Sequence, residues 1–339
     1  MGLPAGFGRY HFLMNPTTRF LLGLVLLGLL PAAYAQTPDR PTSPDRLIQY
    51  TFANDAFFRT DYYFTQGMSL NVVLPVFARS PVNKILLPGP AGAVNRYGIK
   101  ISYDGFTPLR IQDDTIRRGD RPYASYIYAS LYRIATDEAR HQRLTSGLDL
   151  GFIGPAAGAK GFQTYVHRLI DAPTPRGWDF QVRNDLVLGY TVGYDKQLLA
   201  AGRAAELIGS AQASVGTLNT FGEAGLLLRV GKMDPYFRNL GTQTGPTRTV
   251  GQKLQLYASG QVQGRVVGYN ATMQGGLLNR SSPYTLSARQ IARTVGQATT
   301  SLVAAYGGVS LRTSAVWITP EFKGSRRHAW VQFGLTAAF

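Results

Sequence analysis

Three histidines remain beyond the first 35 residues: His141, His167 and His328. Histidine changes charge near neutral pH, so a reaction that borrows and returns a proton would fall to one of them. His167 lies in GFQTYVHRLID, Gly161 to Asp171. Gln163 and His167 are four apart and share one face of a helix, and Asp171 continues that stripe. A neutral His there could activate water for attack on an ester. The oxyanion that forms needs hydrogen-bond donors or a cation. Asn54-Asp55, with Asp61 close behind, offers hard oxygens of the kind Ca²⁺ takes. A bound Ca²⁺ would polarise the scissile carbonyl as a Lewis acid. Arg110, Arg117 and Arg118 sit in LRIQDDTIRRGDRP and could hold lipid phosphate through charge-assisted hydrogen bonds.

Each residue also has a plainer reading. A helical His is often only packed or solvated, and Asn-Asp at a strand end is often only a turn. An Arg-rich loop can bind lipopolysaccharide without catalysis, and Thr65 can be an ordinary strand residue. Other chemistries fit less well. The chain has no G-x-S-x-G elbow and no H-E-x-x-H. His141 falls in the turn EARHQR and His328 opens the last strand, which leaves His167 as the base.

The elements that must position these residues are strands. Arg19, the apolar run Phe20 to Leu30 and the A-x-A site Ala33-Tyr34-Ala35 read as a secretory signal over 1–35. Residues 36–46, QTPDRPTSPDR, form a Pro-rich polar lead-in without a folding signal, and 47–339 is expected to be one domain. The rest has no apolar run of the ~18 residues that a membrane helix needs. The chain contains no Cys, which excludes disulfides and Cys-based metal sites. A net charge of +16 asks for an acidic partner. Behind a signal peptide that is anionic lipid, not nucleic acid.

Alternation then recurs along the chain. Met68, Leu70, Val72 and Leu74 alternate with polar neighbours, as do Tyr97, Ile99, Ile101 and Tyr103. The chain ends on HAWVQFGLTAAF, with Val331, Phe333, Leu335, Ala337 and Phe339 on one face. An apolar terminal strand closing on Phe resembles that of outer-membrane β-barrels. The expected fold is all-β, a transmembrane antiparallel barrel of about 12 strands, with a short helix at the extracellular mouth. The strands are expected near 47–54, 66–74, 96–104, 123–134, 144–153, 178–194, 206–217, 220–231, 253–269, 284–299, 301–318 and 328–339. With both termini in the periplasm, odd strands run outward. Asn54-Asp55, Thr65-Gln66, the Arg loop and the His167 segment then all fall at the outer end. Segment 75–95 would be an unusually long periplasmic turn. A helix is expected over Ala157 to Ala172, seated by Phe162, Val166 and Leu169.

These residues together resemble a family. Asn54-Asp55 followed by Thr60-Asp61-Tyr62-Tyr63-Phe64-Thr65-Gln66-Gly67 is similar to the opening of the outer-membrane lipid A 3'-O-deacylases. So are Gly119-Asp120-Arg121-Pro122-Tyr123-Ala124, Gly151-Phe152-Ile153-Gly154-Pro155, Gln163…His167…Gly177-Trp178 and Glu321-Phe322-Lys323-Gly324. The resemblance is dense over 48–190. It implies a Ca²⁺-dependent esterase that removes 3'-linked acyl chains from lipid A in the bacterial outer membrane. It makes His167 the base, with Gln163, Asn54, Thr65 and Asp55 completing the site and Asp55 and Asn54 at the metal. A family Lys has no match here. Arg110 is the nearest residue, with Arg118 also on that loop. Where some members carry a Glu, six residues after the His, this chain has Pro173. Asp171 is the candidate substitute. The expected partner is lipopolysaccharide, and the expected state a monomer. An outer-membrane phospholipase is the competing enzyme, and a lipopolysaccharide-binding barrel or pore the competing non-enzyme.

Overall fold

The computed structural model describes residues 41–58, 60–243 and 253–339. The expected signal segment 1–35 lies outside them. Twelve antiparallel strands close into one barrel, each paired with its neighbours in sequence. They are β1 (Leu47–Asn54), β2 (Tyr63–Val73), β3 (Val94–Thr107), β4 (Ala124–Asp137), β5 (Gln142–Ile153) and β6 (Asp185–Ala201). Then follow β7 (Ala205–Gly216), β8 (Asn219–Lys232), β9 (Leu254–Asn270), β10 (Thr294–Tyr306), β11 (Val309–Ile318) and β12 (His328–Ala338). Leu47↔Ala338 through Asn54↔Val331 closes the cylinder, so no edge is left unpaired in lipid. No described helix is long and apolar enough to cross a membrane.

Alternation assigns the faces. Leu302, Leu311 and Val262 point outward and are more than half exposed, as lipid-facing residues must be. Gln49, Thr51, Asn71, Lys100 and Ser102 point into a lumen of about 680 Å³. Side chains pack together near both ends of the lumen. At the inner end Met233, Tyr257 and Val303 pack together, and Arg143 lies over the ring of Tyr236. At the outer end Tyr63, Met273, Leu286 and Phe322 form an apolar cap. Beside it Arg121 pairs with Glu321 at 2.7 Å and donates to Thr272.

Three stretches depart from the sequence expectation, and a fourth, the long turn over 75–95, is found as expected. β6 begins at Asp185 rather than 178, because Trp178 and Val182 are buried against the β4 approach instead of pairing as a strand. β10 covers Thr294–Tyr306, and its hairpin to β11 turns at Gly307-Gly308, so 284–293 belongs to an outer connection. In the polar lead-in, Thr42 bridges to Asn95 and Asp45 pairs with Arg96 at 2.6 Å. A guanidinium inside the barrel end requires a carboxylate, and the lead-in supplies it. The long inner connection between β2 and β3 folds back over the wall. There Arg133 donates to the carbonyls of Asn83 and Leu87, and Tyr190 donates to that of Ile85.

Candidate active site

The site begins at a defect in the ladder. Phe64 opposes Phe106 and Gln66 opposes Gly105, leaving Thr65 as the extra residue of a β-bulge. Phe64 turns inward and its ring lies 4.6 Å from that of Trp330. Thr65 is freed to join the outward side, the usual service of a bulge beside a site. Asn54 stitches the same two strand ends. Its Nδ2 donates to the Thr65 carbonyl at 2.9 Å, and its Oδ1 accepts from the Ala56 amide at 2.8 Å.

Loop 55–62 turns its carboxylates into the same place. Asp55 is 1% exposed and accepts from Thr60 Oγ1 at 3.0 Å and the Tyr62 amide at 3.1 Å. Burial, with the charge of Asp61 adding to it, pushes its carboxyl up to about 8. Burial also raises Asp61, against the opposing pull of His167 and the Thr65 hydroxyl. Two carboxylates enclosed together with little compensating charge are suited to a hard divalent cation, and the Asn54 amide oxygen extends the donor set. The described residues hold no cluster of three or more His, Cys, Asp or Glu side chains, so such an ion would rely on amide, backbone or water oxygens for its remaining ligands.

Helix α1 (Ala159–Leu169) covers this corner from outside the barrel wall. Gly158 at its start has φ +79°, a conformation costly for other residues. The side facing the barrel consists of Ala159, Gln163 and His167, spaced by four. The expected seating holds only in part. Val166 is half-buried and Phe162 lies beside Tyr103 of β3, whereas Leu169 points away and is 72% exposed. The most buried positions are taken by Gln163 and His167 with Ala159.

A chain of hydrogen bonds connects helix to wall. Trp178 Nε1 donates to Gln163 Oε1 at 2.7 Å. An indole N–H can only donate, so this bond fixes which way the amide faces. Gln163 Nε2 then donates to Thr65 Oγ1 at 3.2 Å, and Thr65 Oγ1 to Asp61 Oδ1 at 3.2 Å. Asp61 Oδ2 is 3.9 Å from His167 Nε2. On the far side of the ring, His167 Nδ1 lies 2.7 Å from the Pro173 carbonyl. A carbonyl only accepts, so Nδ1 carries a proton, and Nε2 is the nitrogen turned toward Asp61.

His167, Gln163, Thr65, Asn54 and Asp55 thus come together. Asp171 does not join them. It has φ +55°, is exposed, and serves the turn that brings Pro173 back onto the imidazole. The acceptor at the ring's Nδ1 is instead a backbone oxygen, that of Pro173. Arg110 is turned to Asp113, 3.5 Å away, and is 62% exposed. Arg118 is exposed on the same outer loop. That loop adjoins the site through Ile111, whose carbonyl accepts from Tyr123 Oη at 3.1 Å and from the Arg176 amide at 2.8 Å. Tyr123 is a residue that sequence reasoning gave no role. Its ring packs 4.8 Å from that of Trp178, and a Cβ on Gly177 would stand 2.3 Å from it. Tyr103, on the outward face of β3, accepts from Gln66 Nε2 at 2.8 Å and lies beside Phe162. Its outward register in the YGIKISY alternation was the available signal.

A closed twelve-strand barrel carrying a buried polar cluster at its outer rim defines a class, the outer-membrane β-barrels. The family described as outer membrane protein LpxR matches residues 20–339. The chain belongs to that family and is a bacterial outer-membrane protein. Among solved structures it is similar to LpxR from Salmonella typhimurium, with TM-score 0.69 and 19% identity over 86% of this chain and 100% of that one. It is less similar to the beta domain of the Bordetella autotransporter BrkA, with TM-score 0.43 and 10% identity over 88% and 99%. No curated protein matches the chain.

Proposed function

We propose that this protein is a lipid A 3'-O-deacylase, hydrolysing the 3'-linked acyl ester of lipid A in the outer leaflet. Family membership supports the substrate class. The observation that carries the reaction is the imidazole of His167, held by the Pro173 carbonyl so that its free nitrogen faces the Asp61–Thr65 corner.

His167 Nε2 takes a proton from a water as that water attacks the ester carbonyl. It returns the proton to the leaving sugar oxygen. The Pro173 carbonyl stabilises the imidazolium formed between these steps, and Asp61 adds a nearby negative charge. Gln163 and Thr65, fixed by Trp178, hold that corner rigid against α1. Asp55, with Asp61 and the Asn54 oxygen, would hold Ca²⁺, which when bound polarises the ester carbonyl and steadies the developing oxyanion. Arg118 on the outer loop offers a free guanidinium to a lipid phosphate, and Arg110 does so once it leaves Asp113.

A phospholipase using a Ser nucleophile is disfavoured, because among the described residues no Ser hydroxyl is hydrogen-bonded to His167. A pore would leave the hydrogen-bonded set of His167, Asp61, Thr65 and Gln163 on the outward side without a role. The test is mass spectrometry of lipid A from membranes expressing the protein with Ca²⁺ present. Loss of one 3'-acyloxyacyl unit is expected. His167→Ala should lower the rate by about 10² to 10⁴ while the folded band keeps its heat-modifiable migration. Unchanged lipid A from folded wild-type protein, across several acceptor lipids, would overturn the proposal.

A further inference from the structure

Loop 55–62 has two sides. One carries Asp55 and Asp61 toward His167. The other walls a depression of about 650 Å³ that the mechanism above does not use. Its floor is the outward face of β10 near the outer rim, where Gly296 and Ala298 replace the bulky residues found lower down. Leu302, four residues further along the same strand, is 67% exposed to lipid. The lipid-facing belt therefore recedes here. Phe58 and Trp317 form a wall, with ring centroids 6.1 Å apart. Thr60 and Arg327 stand along its edge.

Two features distinguish this hollow from general lipid contact. Arg327 is exposed, and among the described residues no carboxylate pairs with it, nor with neighbouring Arg326 or Lys323. An unpaired guanidinium at the edge of an apolar hollow complements a phosphorylated amphiphile. Thr60 also belongs to both sides, since it donates to Asp55 and lines the hollow. A ligand there presses on the residue that supports the buried carboxylate.

We propose that this hollow is a second lipid subsite, holding retained acyl chains of the same phosphorylated glycolipid whose ester enters the His167 cleft, with Arg327 on its phosphate. The inference rests on the deacylase reading. A substrate with several chains straddles loop 55–62, one part at His167 and the other on β10. Small floor residues let chains approach the backbone closely, where dispersion contacts are densest.

Ala298→Trp fills the hollow and Arg327→Ser removes its charge. Both lie outside the His167 corner. Each should raise KM for hexa-acylated lipid A at least about fivefold with kcat within about twofold, the signature of lost uniform binding. Ala298→Trp should affect a tetra-acylated analogue less, because fewer chains need the hollow. Native mass spectrometry of the full barrel in the His167→Ala background should show the same loss of bound lipid A. Arg327→Ser guards against a folding defect in Ala298→Trp. Unchanged KM and unchanged lipid A occupancy in both folded variants would overturn the subsite while leaving the deacylase standing. Loss of bound phospholipid with KM unaffected also overturns it, since the occupant is then another lipid. If wild type binds lipid A through the hollow but never hydrolyses it, the reaction assignment fails and the subsite survives.

Discussion

Replacing Asp55 by Asn should stabilise the folded protein at high pH while abolishing its activity. Asp55 is 1% exposed, and its carboxyl is pushed from 3.8 to about 8 by burial and by Asp61. The folded chain therefore holds this proton more tightly than the unfolded chain. The stability this contributes is fully present below about pH 4 and is lost as pH rises through about 8. Each pH step between those values is worth about 1.4 kcal/mol, so the ionised group costs the fold on the order of 5 kcal/mol above pH 8. Asparagine keeps the shape and still accepts from Thr60 and the Tyr62 amide, but carries no charge.

The assay is the midpoint of heat-induced loss of the folded band in detergent, run from pH 5 to pH 9 with a divalent-ion chelator. At pH 5 the two proteins should differ little. At pH 9 Asp55→Asn should melt higher, by roughly 10 °C if each kcal/mol moves the midpoint about 2 °C. Saturating Ca²⁺ should then close or reverse the gap, because an ion bound only by the folded wild type stabilises it by mass action. A gap that does not change between pH 5 and pH 9, or a variant that melts lower than wild type at pH 9 in chelator, refutes the reasoning about this carboxylate.

Other outcomes follow from named contacts. Trp178→Phe leaves Gln163 Oε1 buried without its donor, at a cost of about 1–3 kcal/mol. Initial rates on lipid A should fall about tenfold or more while the barrel stays folded. Arg121→Ala strands Glu321 at the outer cap and should cost about 3–5 kcal/mol, read as a lower melting midpoint. Asp171→Asn keeps a residue type that tolerates positive φ. Its rate should stay within about twofold of wild type, since the Pro173 carbonyl and not Asp171 meets His167. A large loss there would give Asp171 a direct part in the site.

How much of this was legible in the sequence depended on whether side chains or backbone carried the message. The barrel was legible because a period of two survives in almost every strand, and chain order alone sent Asn54, Thr65 and His167 to one end. β6 was misplaced because Trp178 and Val182 look like strand residues, yet they pack on the loop that leads into β4. The β10 turn was misplaced because TTSLVAAY has no internal break, and the Gly307-Gly308 pair lies beyond it. The helix was found, but Leu169 points away from the barrel and Gln163 and His167 take its most buried positions. The acceptor for His167 was not legible at all, since a carbonyl belongs to every residue and only the αL turn at Asp171 aims that of Pro173.

The buried face of α1 and the bulge at Thr65 have a common cause. A regular strand gives a polar side chain no reason to face the bilayer. The polar corner therefore has to be built on the outer wall and then shielded. The bulge supplies one outward hydroxyl without breaking the inward register of Phe64. Helix α1 supplies the opposite wall, with Gln163 and His167 turned to the barrel. Burial at this corner is also what raises the carboxyls of Asp55 and Asp61.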